Sequence, residues 1–341
     1  MDAAAAASLL KLAEDARARS RESGDAAPLD DVEAHYPAAL QALDWFIGQS
    51  RTDEAYRLAS ALVPFWMATK RIDDGDGWFT ATLGRHGGSE ARRARALYDH
   101  GYLVFWAGRY DVAAERFADA RARARALGDA DLEALALAGS ARVELSRDLP
   151  EAINLLRAAI EATADLPDSL GRSSAMHVLG VALQMSGDLA GAREVMAARL
   201  EGGRRRGDRS IVYIESANLS MVERRIGNFT RAEALSRAAL GIVWERRDQL
   251  AIPWVINGLA AVAAAMGEHG RAATLLGIAE NLLAIAGGEW PPDEREQHDG
   301  TVALLEAAMA PKILERHRAA GAAMALDEAV AFALGDEATQ P

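Results

Sequence analysis

The sequence predicts an all-α fold, a solenoid of antiparallel helix pairs with a repeat of about 40 residues. Three observations carry this. A short turn signature recurs at near-constant intervals, opening at positions 108, 147, 187, 227 and 267. Each copy pairs a small residue with an alanine 12 positions later, and no window alternates with period two.

The turn signature reads Gly108-Arg109-Tyr110-Asp111, Gly187-Asp188-Leu189-Ala190, Gly227-Asn228-Phe229-Thr230 and Gly267-Glu268-His269-Gly270, with Arg147-Asp148-Leu149-Pro150 in the same slot without its glycine. The glycine is read as the left-handed residue ending the first helix, where a Cβ costs about 1 kcal/mol. Seven residues before each turn stand Gly101, Ser140, Gly180, Ser220 and Ala260; five residues after it stand Ala113, Ala152, Ala192, Ala232 and Ala272. Two helices approach closely only where neither carries a bulky side chain at the crossing, so these pairs mark the crossings. Phe117, Leu156, Met196 and Leu276, four residues past the alanine, are read as core; Ser236 breaks that rule, with Leu235 as substitute.

A second turn follows half a repeat after the first, at Gly128-Asp129, Pro167-Asp168, Gly207-Asp208, Arg247-Asp248 and Gly287-Gly288. Four of the five end in aspartate, suited to cap the next helix. Each unit is therefore two helices of about 16 residues, roughly 24 Å long. The expected organisation is N-terminal hairpins over residues 1–90, five repeats over 91–288, and capping helices with a short tail over 289–341. Ala26-Ala27-Pro28 interrupts the chain, leaving residues 1–28 as a docked helix or a separate arm.

Composition narrows the function. The formal charge is −12 and half the residues are apolar, which disfavours direct contact with nucleic-acid phosphates. The basic clusters Arg92, Arg93, Arg95 and Arg204 to Arg206 are read as solvated helix surface. Cysteine is absent, so thiolate sites and disulfides are excluded. The N-terminal stretch lacks a basic region before its apolar patch and reads as an amphipathic helix, not a signal peptide, and no apolar run approaches the roughly 20 residues of a membrane span. A cytoplasmic protein is expected, with no cofactor and no metal.

Motifs for chemistry are sparse. The seven histidines form no metal-binding spacing, Gly139-Ser140-Ala141 is not a nucleophile elbow, and Asp73-Asp74-Gly75-Asp76-Gly77 lacks the final glutamate of a calcium loop and reads as a helix start. No phosphate-binding Gly-x-x-x-x-Gly-Lys-Ser/Thr sequence occurs. Asn228-Phe229-Thr230 is a glycosylation sequon placed in a hairpin turn.

The small-residue and alanine pair is similar to positions 8 and 20 of the tetratricopeptide consensus, in a unit lengthened from roughly 34 residues to about 40 residues. That form resembles the C-terminal sensor region of large bacterial ATP-binding transcription regulators of the LuxR type and the Streptomyces-antibiotic-regulator type. The resemblance runs through Asp31-Val32-Glu33-Ala34-His35-Tyr36-Pro37-Ala38-Ala39-Leu40, Phe65-Trp66 with Asp74 to Phe79, Arg271 to Glu280, and the helix at Leu326-Asp327-Glu328-Ala329-Val330. It implies a right-handed superhelix that binds a protein segment or small effector in a concave groove lined by the first helix of each repeat. Carried over by consensus position, the groove residues are Arg95, Tyr98, Asp99, Tyr102 and Trp106, then Glu144, His177 and Gln184, then Asn218 and Arg224, and Trp254 and Asn257. Asn218 occupies the position where such domains hold a peptide backbone. The alternatives are an enzyme using His177, Glu144 or Asp99 as acid or base, and a purely structural oligomerisation module.

Overall fold

The computed structural model describes residues 1–23, 27–166, 169–290 and 292–335. Among them are seventeen α-helices, one 3-10 turn and no strand. The chain forms two compact units, Met1–Asp188 and Leu189–Pro341.

The first unit holds α1 (Ala3–Ser23), α2 (Asp30–Gly48), α3 (Thr52–Ala68), α4 (Ile72–Leu83), α5 (Glu90–Trp106), α6 (Tyr110–Leu127), α7 (Ala130–Glu144), α8 (Leu149–Ala162) and α9 (Leu170–Ser186). The second holds α10 (Leu189–Arg206), α11 (Arg209–Arg225), α12 (Phe229–Glu245), α13 (Ala251–Ala265), α14 (His269–Ile285), α15 (Pro292–Ala308), α16 (Pro311–Ala322) and α17 (Leu326–Leu334). Helices α5 to α14 run 14 to 18 residues, about the length the repeat dictates. Partners of a hairpin pack on each other, as α5 does on α6 and α13 on α14, and first helices pack side by side, α5 with α7, α7 with α9, α11 with α13 and α13 with α15.

The crossings lie where the small residues stand. Ala113, Ala152, Ala192, Ala232 and Ala272 are fully buried. Phe117 is also fully buried, wedged between Gly101 of its own hairpin and Gly139 of α7: a Cβ on either glycine would lie within 3.0 Å of the ring. Burying such a ring stabilises the unit by about 2–3 kcal/mol. At the turns Gly108 and Gly128 take φ of 75° and 70°. The Arg147 slot has no left-handed residue; Asp148 caps α8 there by accepting from the Glu151 N–H, and Pro150 sits in its first turn. That tighter turn explains why this one interval falls a residue short of the others. Asp129, Asp208 and Asp248 accept from the amides of Leu132, Ile211 and Ala251 at the starts of α7, α11 and α13. The Pro167-Asp168 doublet lies outside the described residues.

The same punctuation continues upstream in disguise. Lys70 stands nearly one repeat before Gly108 and has φ of 58°, and Ser50 lies between α2 and α3 with φ of 57°. Gly75 stands in the same relation to Ala113 and is buried within α4, where a Cβ would meet the Trp66 ring and Leu103. The aspartate-glycine run is thus the start of a packed helix. Trp66 is fully buried and donates its Nε1–H to the Tyr36 hydroxyl at 2.9 Å, and that hydroxyl donates to Asp74 at 2.8 Å.

Helix α1 is docked. Ala6, Leu10, Ala13 and Ala16 are buried, Glu14 accepts two hydrogen bonds from Arg57 of α3 at 2.8 and 2.7 Å, and Arg17 reaches the Ser60 carbonyl and Asp99. Residues 24–26 lie outside the description, and Ala27–Leu29 forms the 3-10 turn. In the second unit α15 packs on α13, α16 on α14, and α17 on α12 and α14. Arg204, Arg205 and Arg206 are exposed in the last turn of α10, where the helix dipole favours cations.

Candidate ligand-binding face

The residues expected to line a groove divide between the two units. In the first, five stand on α5. Arg95, Tyr98, Tyr102 and Trp106 follow helical spacing, and Tyr98 stacks on Tyr102 (centroids 6.2 Å apart), which meets Trp106 edge-on at 6.2 Å. Exposure rises along this row, from Tyr98 at 8% to Trp106 at 53%. Tyr98 is an internal residue, packed on Phe117, and burial raises its hydroxyl above the usual tyrosine range.

Asp99 is buried at 2%. Both its oxygens accept from Arg95, at 2.9 and 3.2 Å, and Arg17 of α1 adds a contact at 3.3 Å. Burial pushes this carboxyl upward, but Arg95 and Arg17 outweigh it and hold it below the usual carboxylate range. The pairing keeps the carboxylate charged, and loss of the arginine partners would leave that buried charge uncompensated. Glu144 on α7 and His177 and Gln184 on α9 are half-buried.

In the second unit the first helices bring two of the expected residues, Asn257 and Arg224, together through two others. Asn257 of α13 is fully buried and donates through Nδ2 to the Glu294 carbonyl at 3.1 Å and carboxylate at 2.9 Å. Gln297, one turn along α15, donates to the same carboxylate at 3.2 Å and accepts from Arg224 of α11 at 3.4 Å. Burial lowers the Arg224 guanidinium below its ordinary value, and neighbouring Arg225 lowers it further. Asn218 is half-buried on α11.

Among the buried polar atoms without a hydrogen-bond partner in the described residues are three at expected groove positions: Arg224 Nε, Trp254 Nε1 and Asn257 Oδ1. A buried donor or acceptor left unmade costs about 1–3 kcal/mol, so this row carries unmet demand for two acceptors and one donor. Trp254 and Asn257 are three residues apart on α13 and share one helix face.

Gln297 and Glu294 were not expected as site residues. They stand one repeat length after Asn257 and Trp254, so extending the register beyond residue 288 locates both. Among the described residues no grouping of His, Asp and Glu could hold a metal ion, and no helix is long and apolar enough to cross a membrane.

No family model matches the chain, and no curated protein sequence matches it. Solved structures are similar. A Rap protein complexed with competence and sporulation factor aligns over 92% of this chain and 85% of its own, with 14% identity and a TM-score of 0.59. The apo form of the quorum sensor NprR from B. thuringiensis aligns over 84% and 85%, with 13% identity and a TM-score of 0.55. NprR in complex with its cognate peptide NprX aligns over 87% and 82%, with 13% identity and a TM-score of 0.50. BtubC from P. vanneervenii covers 63% of this chain and 92% of its own, with 18% identity and a TM-score of 0.53. At these identities the likeness is one of fold, and it agrees with the helix order, the buried alanines and the turns: the architecture is an all-helical, tetratricopeptide-like repeat.

Proposed function

We propose that this chain is a non-catalytic regulatory sensor or scaffold that binds a protein segment or peptide effector along its row of first helices. The observation that carries the reading is that three of the buried atoms left without a partner, Arg224 Nε, Trp254 Nε1 and Asn257 Oδ1, stand at expected groove positions of α11 and α13. A peptide unit offers a carbonyl oxygen and an N–H, the complements of the Trp254 Nε1–H and the Asn257 Oδ1, and a second carbonyl or a carboxylate completes Arg224 Nε–H. Glu294 and Gln297 hold Asn257 and Arg224 in place, which limits the ordering cost of binding.

One of the similar folds, NprR, is in complex with its cognate peptide, and another, a Rap protein, is complexed with competence and sporulation factor; the first of these supports a peptide as the ligand. The sensor tail of large ATP-binding regulators, suggested by the sequence motifs, is the same kind of role. The organisation that goes with it is hairpins over 1–90, five repeats over 91–288 and closing helices over 289–341, in a cytoplasmic protein that makes no direct contact with nucleic acid. Within the first unit, Arg95, Tyr102 and Trp106, with Glu144, His177 and Gln184, are proposed as contact residues of that unit's own first helices; within the second, Asn218 adds a polar group on α11.

The test is native mass spectrometry of the full chain against a pool of degenerate hexapeptides. Wild type is expected to retain peptide, and Trp254→Phe and Asn257→Ala to lose most of it with helical circular dichroism unchanged. Retention equal to wild type in both variants, or none by the wild type, overturns the reading. Catalysis predicts instead turnover that vanishes on single substitution of His177, Glu144 or Asp99.

A further inference from the structure

In the second unit, away from the trio on α11 and α13, helices α14, α15 and α16 border a cavity of about 730 Å³. That volume lies in the range of small-molecule sites, about 300–1,000 Å³.

Its construction begins with two glycines. Gly277 of α14 lies against the backbone of Arg318, and Gly321 of α16 against the backbone of Thr274; a Cβ at either position would collide with main-chain atoms. This crossing sets α16 directly on α14. The Met309–Pro311 corner joins α15 to α16 and forms a further part of the lining, with Leu314 and Ala319 adding apolar surface.

The polar lining has one sign in excess. Glu280 accepts from Arg318 at 2.6 and 3.2 Å and from His298 at 2.9 Å, so its charge is met within the protein. Burial raises this carboxyl, but the His298 and Arg318 hydrogen bonds outweigh it and hold it below the usual range. Glu306 and Glu315 also line the cavity. Both are exposed, and neither makes an ion pair among the described residues. An apolar hollow with two unmatched carboxylates suits a ligand with an apolar body and one cationic head.

We infer that the α14–α16 cavity is a binding site for a small amphiphilic ammonium compound. The apolar body seats against Met309, Leu314 and Ala319, and the ammonium lies toward Glu306 and Glu315. This site is independent of the peptide reading, since no residue is shared with the Arg224, Trp254 and Asn257 trio.

The probe is 2-phenylethylamine, titrated calorimetrically into the full chain beside neutral 2-phenylethanol and anionic 3-phenylpropionate. The amine is expected to bind saturably with one site per chain, the alcohol at least tenfold more weakly, and the acid more weakly still. The double variant Glu306→Gln/Glu315→Gln should weaken the amine about fivefold or more and leave the alcohol unchanged. Ala319→Trp, which fills the hollow from an exposed position, should abolish binding, while Trp254→Phe should not affect it. Equal affinity for amine and alcohol, or indifference to Ala319→Trp, overturns the proposal. So does binding of an acetylated, amidated Leu-Lys-Leu peptide in preference to the amine, which would assign the cavity to a partner's lysine.

Discussion

The hydroxyls of Ser220 and Ser236 meet at 2.7 Å in the interior of the α11–α12 hairpin, and the Ser220 hydroxyl also lies 2.7 Å from the Ala232 carbonyl. Ser220 holds the small-residue position of its repeat, and Ser236 the position filled elsewhere by Phe117, Leu156, Met196 or Leu276. The exception is therefore a paired exception. A polar residue is tolerated in the core because its partner in the same hairpin is polar too. Leu235 is buried beside it, so the apolar contribution is displaced by one residue.

That pairing predicts a coupled energy. Ser220→Ala and Ser236→Ala should each destabilise the second unit by about 1 kcal/mol, because each leaves a buried hydroxyl with fewer partners. The double variant should cost less than the sum, since nothing then remains unpaired. Urea unfolding of the four proteins measures the coupling, and additive losses would show that the two hydroxyls do not depend on each other.

The corresponding contact in the first unit is apolar. Gly139 stands as far beyond Phe117 in the sequence as Gly258 stands beyond Ser236. A Cβ on Gly139 would lie 2.5 Å from the Phe117 ring, whereas one on Gly258 would lie 3.7 Å from the Ser236 hydroxyl. Gly139→Ala is expected to cost about 1–3 kcal/mol by overpacking, and Gly258→Ala far less. Phe117→Leu should recover part of the Gly139→Ala loss. Thermal melting of the single and double variants checks this; equal losses at the two glycines would contradict it.

These contacts also show what could be read from residues alone. The five alanines and the turn glycines announce the hairpins because crossings and left-handed turns restrict side-chain size directly. Lys70, Ser50 and Arg247 take the same left-handed conformation with φ of 58°, 57° and 54°. Their backbones bear a cost of about 1–2 kcal/mol that glycine avoids, so the signature fades there although the turn persists. Asp99 was legible as a first-helix residue, but its burial was not, because Arg17 lies 82 positions away and no local pattern pairs them. Gln297 and Glu294 escaped for a different reason: the expected boundary at residue 288 stopped the register one helix before the residues that hold Asn257.

The ion pair at Asp99 gives a pH-dependent stability. Its carboxyl is held below the usual range in the folded protein, so its contribution is present above the unfolded carboxylate value near 3.9 and is lost as pH falls through the lower folded value. Arg95→Met should destabilise the first unit by about 1–3 kcal/mol at pH 7, and the deficit should narrow below about pH 4 as Asp99 protonates. Urea midpoints from pH 7 to pH 3 provide the measurement, and a deficit constant with pH would assign the loss to packing of the Arg95 stem.

Two histidines should titrate on opposite sides of the ordinary value near 6.5. His100 is fully buried against Phe79, with Asp76 at 2.7 Å from Nε2 and Arg116 donating to Nδ1 at 3.3 Å. That geometry fixes the tautomer, with the proton on Nε2. Burial lowers its pKa, Asp76 raises it, and the charges of Arg116 and Arg109 lower it further. His298 is raised, chiefly by its hydrogen bond to Glu280, against burial, with Asp299 adding to the rise. The signs follow from linkage. The depressed His100 lets the unfolded chain bind more protons, so the first unit loses stability as pH falls below about 6.5. The raised His298 contributes stability that is full below about 6.5 and disappears as pH rises through its folded value. Carbon-13 shifts of the two imidazoles, assigned with His100→Gln and His298→Gln, should show the His100 midpoint on the acid side of the ordinary value and the His298 midpoint on its alkaline side. Coincident titrations would mean that neither the Asp76–Arg116 bracket nor the Glu280–Asp299 bracket governs its ring.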